Sequence, residues 1–171
     1  MHLKNYIFLY SRSLFARNRI SMNKKLNYLL TFFFLILFVL FLGLHYVTPY
    51  GILQPPRVNG DLTPQQLGIK SEPLNLEVEP NLTLNGYWIQ SKTNVIKGVI
   101  IIVHGVGGCK ESYLHLSQKL ANRGIESIIF DGRAHGQSGG QFCTYGYHER
   151  NDVSKIIDYI KTKKPTIPIG I

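Results

Sequence analysis

The sequence predicts an α/β domain, with a mostly parallel sheet and flanking helices, preceded by one transmembrane helix. From residue 73 onward, apolar patterns typical of strands and of helices alternate with short connections, as in βαβ units. Before them, Tyr28 to Val47 form an apolar run without Asp, Glu, Lys or Arg. About 20 helical residues cross the hydrocarbon layer of a bilayer, so this run is long enough to do so. The 171 residues leave room for one modest domain beyond it.

The formal net charge of +9 is concentrated before the apolar run. The basic residues that precede residue 26, with no acidic residue among them, are Lys4, Arg12, Arg17, Arg19, Lys24 and Lys25. Positive charge beside an apolar segment is typical of the cytoplasmic flank of a membrane helix. We therefore expect a single-pass membrane protein with residues 1–27 in the cytoplasm, residues 28–47 as a signal-anchor and the domain on the outer side. The charge distribution disfavours a nucleic-acid partner.

A cleaved signal peptide is the alternative interpretation of the apolar run. Met22, followed by Asn-Lys-Lys, would then be the start of a compact basic region. The run is longer than a usual signal-peptide core, and the residues after it contain no Ala-x-Ala-like cleavage site. The sequence therefore favours an uncleaved anchor.

Residues 48–72 contain several prolines and glycines and predict a linker or an extended lead-in to the domain. Within this segment Thr63 and Pro64 are typical of an N-cap and first helical residue, so we expect one short helical turn there. The truncated domain itself is predicted over residues 73–171. It begins with strands over residues 74–79 and 82–90, the second with a bend or bulge at Asn85-Gly86.

The rest of the domain is predicted to be two βα units and a last strand. Gly98 to Val103 is a nearly continuous aliphatic run, as expected for a strand covered on both faces. Apolar residues at helical spacing predict helices over residues 111–123 and 149–161. Residues 125–130 predict a strand between them, and residues 167–171 predict the fifth strand.

The glycine-rich turn His104-Gly105-Val106-Gly107 directly follows the third predicted strand. It resembles neither a dinucleotide fingerprint nor a P-loop, because Lys110 stands where either motif needs glycine. A turn of this kind can instead expose a backbone N–H where negative charge develops during acyl transfer. The sequence therefore predicts an oxyanion-hole donor at the N–H of Val106.

Several segments, taken in order, resemble the N-terminal half of the α/β-hydrolase superfamily. They are Gly86-Tyr87-Trp88-Ile89 in the second strand, His104-Gly105-Val106-Gly107 after the third, Asp131-x-Arg133-x-His135-Gly136-x-Ser138 after the fourth, and Thr-Tyr-Gly-Tyr-His-Glu-Arg-Asn-Asp-Val before the last helix. The similarity is greatest to the serine aminopeptidase-like and lipase/esterase-like branch. It covers roughly Thr63 to Ile171.

The resemblance implies hydrolysis of an ester, thioester or amide bond in a small-molecule or peptide acyl substrate. In the superfamily the nucleophile lies in a G-x-S-x-G elbow after the fifth strand, and the acid and the base follow it. All three positions would fall beyond Ile171, so we expect a membrane-anchored hydrolase fragment without activity of its own. Two alternatives remain: a non-enzymatic membrane-tethered binding protein, and a hydrolase-fold enzyme with a different nucleophile.

The remaining polar residues near the turn are predicted to shape loops. His104 and His135, with Gly105 and Gly107, are expected to be hydrogen-bonded turn residues, and Asp131 and Arg133 are expected to pair with each other. Ser138 is interpreted as a turn residue, because its spacing is H-G-x-S-G rather than G-x-S-x-G. No ligand spacing marks a metal site among His104, Asp131 and His135. We expect no metal and no cofactor.

Cys109 and Cys143 each follow the carboxyl end of a strand, and those two strands are neighbours in the resembled fold. A disulfide between them is therefore one expectation, and an extracytoplasmic compartment would permit it. Two small buried thiols are the other expectation. The sequence leaves both open.

Overall fold

The computed structural model describes the backbone of residues 2–171 and the side chains of residues 23–171. The chain divides into two compact units, residues 1–50 and residues 51–171. Helix α1 runs from His2 to Tyr46 and α2 from Thr48 to Leu53. The stretch Asn23–Leu53 is long and apolar enough, by length and composition, to cross a membrane. The predicted basic flank, residues 1–27, lies mostly outside the described side chains.

The second unit is built on one five-stranded sheet. Its elements are β1 (Ser71–Glu79), β2 (Leu82–Ile89), β3 (Gly98–Ile102), a 3₁₀ turn (Lys110–Tyr113), α3 (Leu114–Ala121), β4 (Ile125–Phe130), α4 (Glu149–Lys163) and β5 (Ile169–Gly170). The strand order is β1-β2-β4-β3-β5. Strands β3–β4 and β3–β5 pair in parallel, whereas β1–β2 and β2–β4 pair antiparallel. The sheet is therefore mixed, and the prediction of a mostly parallel sheet is too strong.

The expected bulge at Asn85-Gly86 is wrong. These residues pair in unbroken register with β1, and the irregularity lies between Glu77 and Glu79. Gly86 has a different role, because a Cβ there would lie 2.4 Å from the carbonyl oxygen of Ile129 on β4. The glycine thus permits close approach of β2 and β4 rather than bending its strand.

The two faces of the sheet are covered by different helices. On one face, Ile156 and Ile160 of α4 pack in a cluster with Trp88 and Ile128. On the other face, Leu114 and Ala121 pack with Ile89 and Ile129. Adjacent residues of β2 and β4 therefore point to opposite faces, as the period of a strand requires. The same holds for β3, with Val99 and Ile101 in the first cluster and Ile102 in the second, which explains why β3 is aliphatic on both of its faces.

The lead-in and the first helix of the domain differ in detail from expectation. The predicted turn at Thr63 is present: the Thr63 hydroxyl accepts the Gln66 N–H (3.4 Å), and the Gln66 side chain accepts the Thr63 N–H (2.8 Å). This is a capping box. The helix predicted over residues 111–123 is shorter, since its first turn is 3₁₀ and α3 ends at Ala121.

Because β3 and β4 are parallel neighbours, their carboxyl ends meet at one edge of the sheet. The turn of residues 103–109 and the loop of residues 131–140 therefore lie side by side. We call them the β3 turn and the β4 loop.

Candidate functional site

The β3 turn is open to solvent. Gly107 has a φ of +76°, a conformation that favours glycine, and the N–H of Gly108 closes the turn on the carbonyl of Gly105 at 3.0 Å. The Val106 side chain is 53% exposed. Within the part of the chain that the structure describes, the Val106 N–H donates to no other group. The turn thus presents a free backbone donor, which is what an oxyanion site requires.

Two histidines join the β3 turn to the β4 loop. His104 Nε2 accepts the N–H of Gly132 (2.9 Å), and His135 Nε2 accepts the N–H of Gly107 (3.0 Å). Because a backbone N–H can only donate, each ring is neutral at Nε2 and carries its proton on Nδ1. Those Nδ1–H groups donate to the carbonyls of Gly105 (2.8 Å) and Arg133 (2.9 Å).

Each histidine therefore belongs to one segment and holds a backbone amide of the other, as the prediction of loop-shaping residues expected. The rings meet edge to face with centroids 4.8 Å apart. Burial, together with the neighbouring His135, lowers the pKa of His104 below its usual value, and this outweighs the hydrogen bond to Gly105. Both ring nitrogens of each histidine are occupied, so neither is placed to act as a base.

The β4 loop is closed around a buried carboxylate. Asp131 is fully buried and accepts the N–H of Lys110 (2.9 Å), the Nζ of Lys110 (2.7 Å) and the N–H of Gln137 (3.0 Å). Glu111 also pairs with Lys110 at 3.0 Å. Burial alone would lower the pKa of Lys110, but the hydrogen bonds and charges of Asp131 and Glu111 raise it overall.

The expected pairing of Asp131 with Arg133 is therefore wrong. Arg133 instead makes two hydrogen bonds to Asp152 of α4, at 2.7 and 2.8 Å, and one to Glu79 of β1 at 2.9 Å. The hydrogen bonds that Arg133 donates to Asp152 raise the pKa of Arg133, and the one that it donates to Glu79 lowers the pKa of Glu79. The two side chains point in different directions, Asp131 to Lys110 at the start of the 3₁₀ turn and Arg133 to α4.

Ser138 is a buried part of this scaffold. Its hydroxyl donates to the carbonyl of Asp131 (2.5 Å) and accepts the N–H of Asn85 (2.8 Å). Gly136 has a φ of +42°, and a Cβ there would lie 2.2 Å from the Asp131 carboxylate. The interpretation of Ser138 as a turn residue is confirmed, since its hydroxyl has no free approach to a substrate.

A pocket of about 340 Å³ opens beside the β3 turn. Its lining is mostly apolar and includes Val103, Val106, His135, Cys143 and Tyr145. At its edge, the carboxylate of Glu149 accepts the N–H and the hydroxyl of Thr144 (2.6 and 2.8 Å) and the N–H of Gly146 (2.7 Å). Burial would raise the pKa of Glu149, but the hydrogen bonds lower it overall, and those from Thr144 contribute most to that lowering.

The two cysteines are free thiols, and both are buried. The expectation of a disulfide is therefore wrong. The Cys109 sulfur lies 3.5 Å from the Ser112 hydroxyl, at the start of the 3₁₀ turn. The backbone N–H of Cys143 donates to the carbonyl of Leu53 at 2.7 Å. The alternative expectation, two small buried thiols, describes them.

Among the described side chains, no group of three or more His, Cys, Asp or Glu is placed to hold a metal ion. The backbone amides on His104 and His135 already occupy the nitrogen lone pairs that a metal would need.

Sequence reasoning missed Arg57, which clamps the β4 loop. Its guanidinium donates to the carbonyls of Gly136 (3.0 Å), Ser138 (2.6 Å) and Gly140 (2.8 Å), with a longer bond to His135 at 3.4 Å. A single arginine in a proline-rich lead-in carries no local signal of that role. Lys110 was noticed only as a misfit to nucleotide motifs, although it is the partner of Asp131.

Comparison with known proteins agrees with this arrangement. A family model described as serine aminopeptidase, S33, matches residues 94–171. The Pyrococcus furiosus esterase Pf2001 is 31% identical with a TM-score of 0.59, over 69% of this chain and 45% of that protein. The family match, the sequence identity and the fold are all consistent with the α/β-hydrolase superfamily.

Two further matches define how much of a hydrolase is present. XC6422 from Xanthomonas campestris, an α/β serine hydrolase without a lid, has a TM-score of 0.50 at 19% identity, over 67% of this chain and 50% of that one, which supports the fold alone. YqkD of Bacillus subtilis (strain 168), an uncharacterized protein, is 38% identical over 64 residues, which are 37% of this chain and 21% of YqkD. The chain therefore spans less than half of the Pyrococcus esterase and about a fifth of YqkD.

Proposed function

We propose that this chain supplies the oxyanion side of a membrane-anchored serine hydrolase that cleaves an ester, thioester or amide bond. The single observation that carries the proposal is the Val106 N–H, which has no partner among the described residues and lies on a turn that lines an apolar pocket. In that role Val106 stabilises the negative oxygen of a tetrahedral intermediate. The neighbouring Gly107 N–H is held by His135, so the turn keeps its shape without substrate.

The nucleophile, the acid and the base come from residues other than those of the site described above. Ser138 is buried, and its hydroxyl makes two hydrogen bonds. In His104 and in His135, beside the pocket, both ring nitrogens are hydrogen-bonded to backbone groups. Neither kind of group can therefore begin acyl transfer without breaking the scaffold. The hydrolase activity belongs to a protein in which other residues complete this site.

A fluorophosphonate probe tests the reaction class, because it modifies activated serine nucleophiles. The polypeptide that carries these residues in its native membrane is expected to be labelled, at a serine other than Ser138. The 171-residue chain alone is expected to stay unlabelled and to hydrolyse p-nitrophenyl acetate no faster than a heat-killed control. Label on Ser138, or turnover by the chain alone that Ser138→Ala abolishes, would overturn the proposal, as would a native protein without label.

We also propose that residues 28–47 anchor the chain with its N-terminus in the cytoplasm. The support is the apolar stretch Asn23–Leu53 and the basic residues that precede residue 26. The chain offers its own reporter, since Asn81-Leu82-Thr83 is a glycosylation sequon whose Asn81 is exposed in the turn between β1 and β2.

Translation into glycosylating microsomes is expected to give a glycosylated product that stays with the membrane at its full length. Asn81→Gln is the matched control and removes the added mass. An unglycosylated, protease-accessible domain would contradict the orientation, and a shortened product released into the lumen would indicate a cleaved signal peptide.

A further inference from the structure

The lead-in is attached to both segments of the site. Arg57 donates hydrogen bonds to the β4 loop, and three residues later the Gly60 N–H donates to the carboxylate of Glu111 at 3.3 Å, just after the β3 turn. A Cβ on Gly60 would lie 2.4 Å from the Cβ of Glu111, so glycine permits this close approach. The short stretch of residues 57–60 therefore joins the β4 loop to the segment that follows the β3 turn.

The β4 loop needs support from outside, because its backbone is strained on both sides of His135. Ala134, just before it, has a φ of +61°, and Gly136, just after it, has a φ of +42°. The left-handed region is unfavourable for a residue that carries a Cβ, and such a residue persists where the surrounding structure holds it. The direction of the His135 ring therefore depends on contacts that fix this part of the backbone.

Arg57 makes such contacts along the second half of the β4 loop. Its Nη1 donates to the carbonyls of Gly136 (3.0 Å) and Ser138 (2.6 Å), with a longer bond to His135 (3.4 Å), and its Nη2 donates to Gly140 (2.8 Å). A guanidinium suits this role because it carries five donors in a rigid planar fork, whereas the three donors of a lysine share one nitrogen. One side chain thus fixes the backbone from His135 to the end of the loop.

This constraint reaches the oxyanion donor through His135. The ring accepts the Gly107 N–H at 3.0 Å, and Gly107 directly follows Val106. Successive peptide planes are joined at one Cα, so only the φ and ψ of Val106 lie between the held Gly107 N–H and the Val106 N–H. A displacement of the β4 loop would therefore turn the Val106 N–H away from the position where negative charge develops.

We propose that Arg57 is a positioning residue for the oxyanion site, with Gly60 as the second point at which the lead-in is attached. Arg57 acts through the β4 loop and His135 on the Val106 N–H and does not itself contact the substrate. The inference rests on the proposed hydrolase function, and it adds that the reaction depends on the lead-in as well as on the two segments beside the pocket.

The first test measures turnover of p-nitrophenyl acetate by the native membrane protein. Removal of one oxyanion donor lowers kcat by about 10²–10³-fold, and a displaced donor should cost less than a missing one. Arg57→Leu is expected to lower kcat by about tenfold and to change KM by less than about twofold, because the donor acts in the transition state. Arg57→Lys is expected to give an intermediate kcat, since one ammonium reaches only some of the carbonyls.

The second test needs no turnover. ¹⁵N NMR of the full 171-residue chain in detergent micelles, labelled with ¹⁵N-histidine, reports which ring nitrogen of His135 carries the proton; the His135 signals are those missing from His135→Gln. The wild-type chain is expected to show the Nδ1–H form, because Nε2 accepts the Gly107 N–H. In Arg57→Leu the signals are expected to move toward a mixture of the two tautomers, because the ring is no longer held against Gly107.

Two control variants separate positioning from a loss of charge and from a general loss of stability. Arg123→Leu removes the same charge from the exposed surface. Ile156→Val lowers stability in the buried cluster of α4, without touching the lead-in. Both controls are expected to keep the wild-type kcat and the wild-type tautomer of His135.

The second attachment point gives an independent pair of variants. Gly60→Ala is expected to act in the same direction as Arg57→Leu but less strongly, because the added Cβ pushes the lead-in away from Glu111. Gly51→Ala is its matched control, since a Cβ there has open space. If Arg57→Leu does not fold, Gly60→Ala and Arg57→Lys carry both tests.

Failure of this inference is distinguishable from failure of the hydrolase proposal. A native protein with turnover that Arg57→Leu leaves unchanged supports the hydrolase and overturns the positioning role. An equal loss of kcat in Arg57→Leu and Ile156→Val also overturns that role, and so does a loss of kcat without a change in the His135 tautomer. A changed tautomer in the chain, with no turnover by the native protein, supports the link from Arg57 to the β3 turn and overturns the hydrolase.

Discussion

The β3 turn and the β4 loop are both rich in glycine, both follow parallel strands, and they lie side by side. They differ in where their polar groups go. In the β3 turn the Val106 N–H remains without a partner among the described residues, and the turn faces an apolar pocket. In the β4 loop the Asp131 carboxylate accepts hydrogen bonds from the N–H and Nζ of the buried Lys110. The Ser138 hydroxyl is hydrogen-bonded to backbone groups of Asp131 and Asn85.

The difference separates the reactive surface from its support. A donor that stabilises a transition state has to be free before substrate arrives and has to be held in place without substrate. The β4 loop fixes the β3 turn through two hydrogen bonds. His135 of the loop accepts the Gly107 N–H of the turn, and His104 of the turn accepts the Gly132 N–H of the loop. Variants of the closed loop are therefore expected to change stability first, and variants of the open turn to leave it nearly unchanged.

Asp131→Ala is expected to have the largest effect. It leaves the fully buried Lys110 without its 2.7 Å partner and removes the acceptor of two backbone N–H groups. Removing one member of a buried pair costs about 3–5 kcal/mol, so the free energy of unfolding should fall by that amount. Urea unfolding of the chain in detergent, followed by circular dichroism, measures it.

Asp158→Ala is the matched control, because Asp158 lies exposed on α4 and a surface change of this kind alters stability by about 0.5 kcal/mol or less. Combining Asp131→Ala with Lys110→Met should recover part of the loss, since the buried ammonium that has lost its nearer carboxylate is then gone. Equal costs for Asp131→Ala and Asp158→Ala would show that the buried pair does not support the loop.

Arg57→Leu removes the clamp on the β4 loop from the lead-in. Three carbonyls, those of Gly136, Ser138 and Gly140, lose donors at 2.6–3.0 Å. A hydrogen bond to a charged group contributes about 1.5–3 kcal/mol, and the partly exposed site allows water to replace some of it. We expect a loss of about 2 kcal/mol in the same unfolding measurement, whereas Arg123→Leu on the exposed surface should cost little.

Ser138→Ala separates the scaffold from the nucleophile. The variant removes the acceptor of the Asn85 N–H and the donor to the Asp131 carbonyl, and we expect it to lower the free energy of unfolding by about 1–2 kcal/mol. Fluorophosphonate labelling of the native protein should persist at conditions where the variant is folded. If the variant keeps its stability but loses all labelling, Ser138 is the nucleophile and not a structural residue of the loop.

The sequence predicts what depends on local pattern. The hydrophobic run of β3, the helical spacing of α4 and the glycine-rich turn at His104 each carry their structure in neighbouring residues, and the structure has all three. The spacing of Ser138 likewise separates it from a nucleophile elbow without any structure. The observed ends of strands and helices differ from the predicted ones by a few residues, because packing rather than the sequence pattern determines where an element ends.

The sequence does not predict in the same way which side chains pair when they are distant along the chain. Asp131 and Arg133 are two residues apart and of opposite charge, yet Lys110 and Asp152 are their partners. Arg57 reaches a loop that lies far along the chain, and no periodicity marks such a contact. The cysteines illustrate the converse, because neighbouring strands bring two segments together without bringing two sulfurs into a bond.

The smallest expected effect is the pH dependence of the link between the open turn and the closed loop. Burial and the neighbouring His135 lower the pKa of His104, while Gly105, Asp131 and Glu111 act in the opposite direction. The unfolded chain therefore binds a proton on His104 at a higher pH than the folded chain does. The stability from neutral His104 is complete above the unfolded value of about 6.5 and is lost as the pH falls toward the lower folded value.

Urea midpoints between pH 8 and pH 5 are expected to fall as the pH decreases through this window. His104→Gln is the matched variant, because the amide oxygen can still accept the Gly132 N–H but does not titrate. Its midpoint should vary less with pH between 6.5 and 5. The pKa values of Glu79 and Glu149 are also lowered, but carboxylates lose their contribution below about 4.5, outside the window. If His104→Gln keeps the full pH slope, the two segments are not linked through a neutral His104.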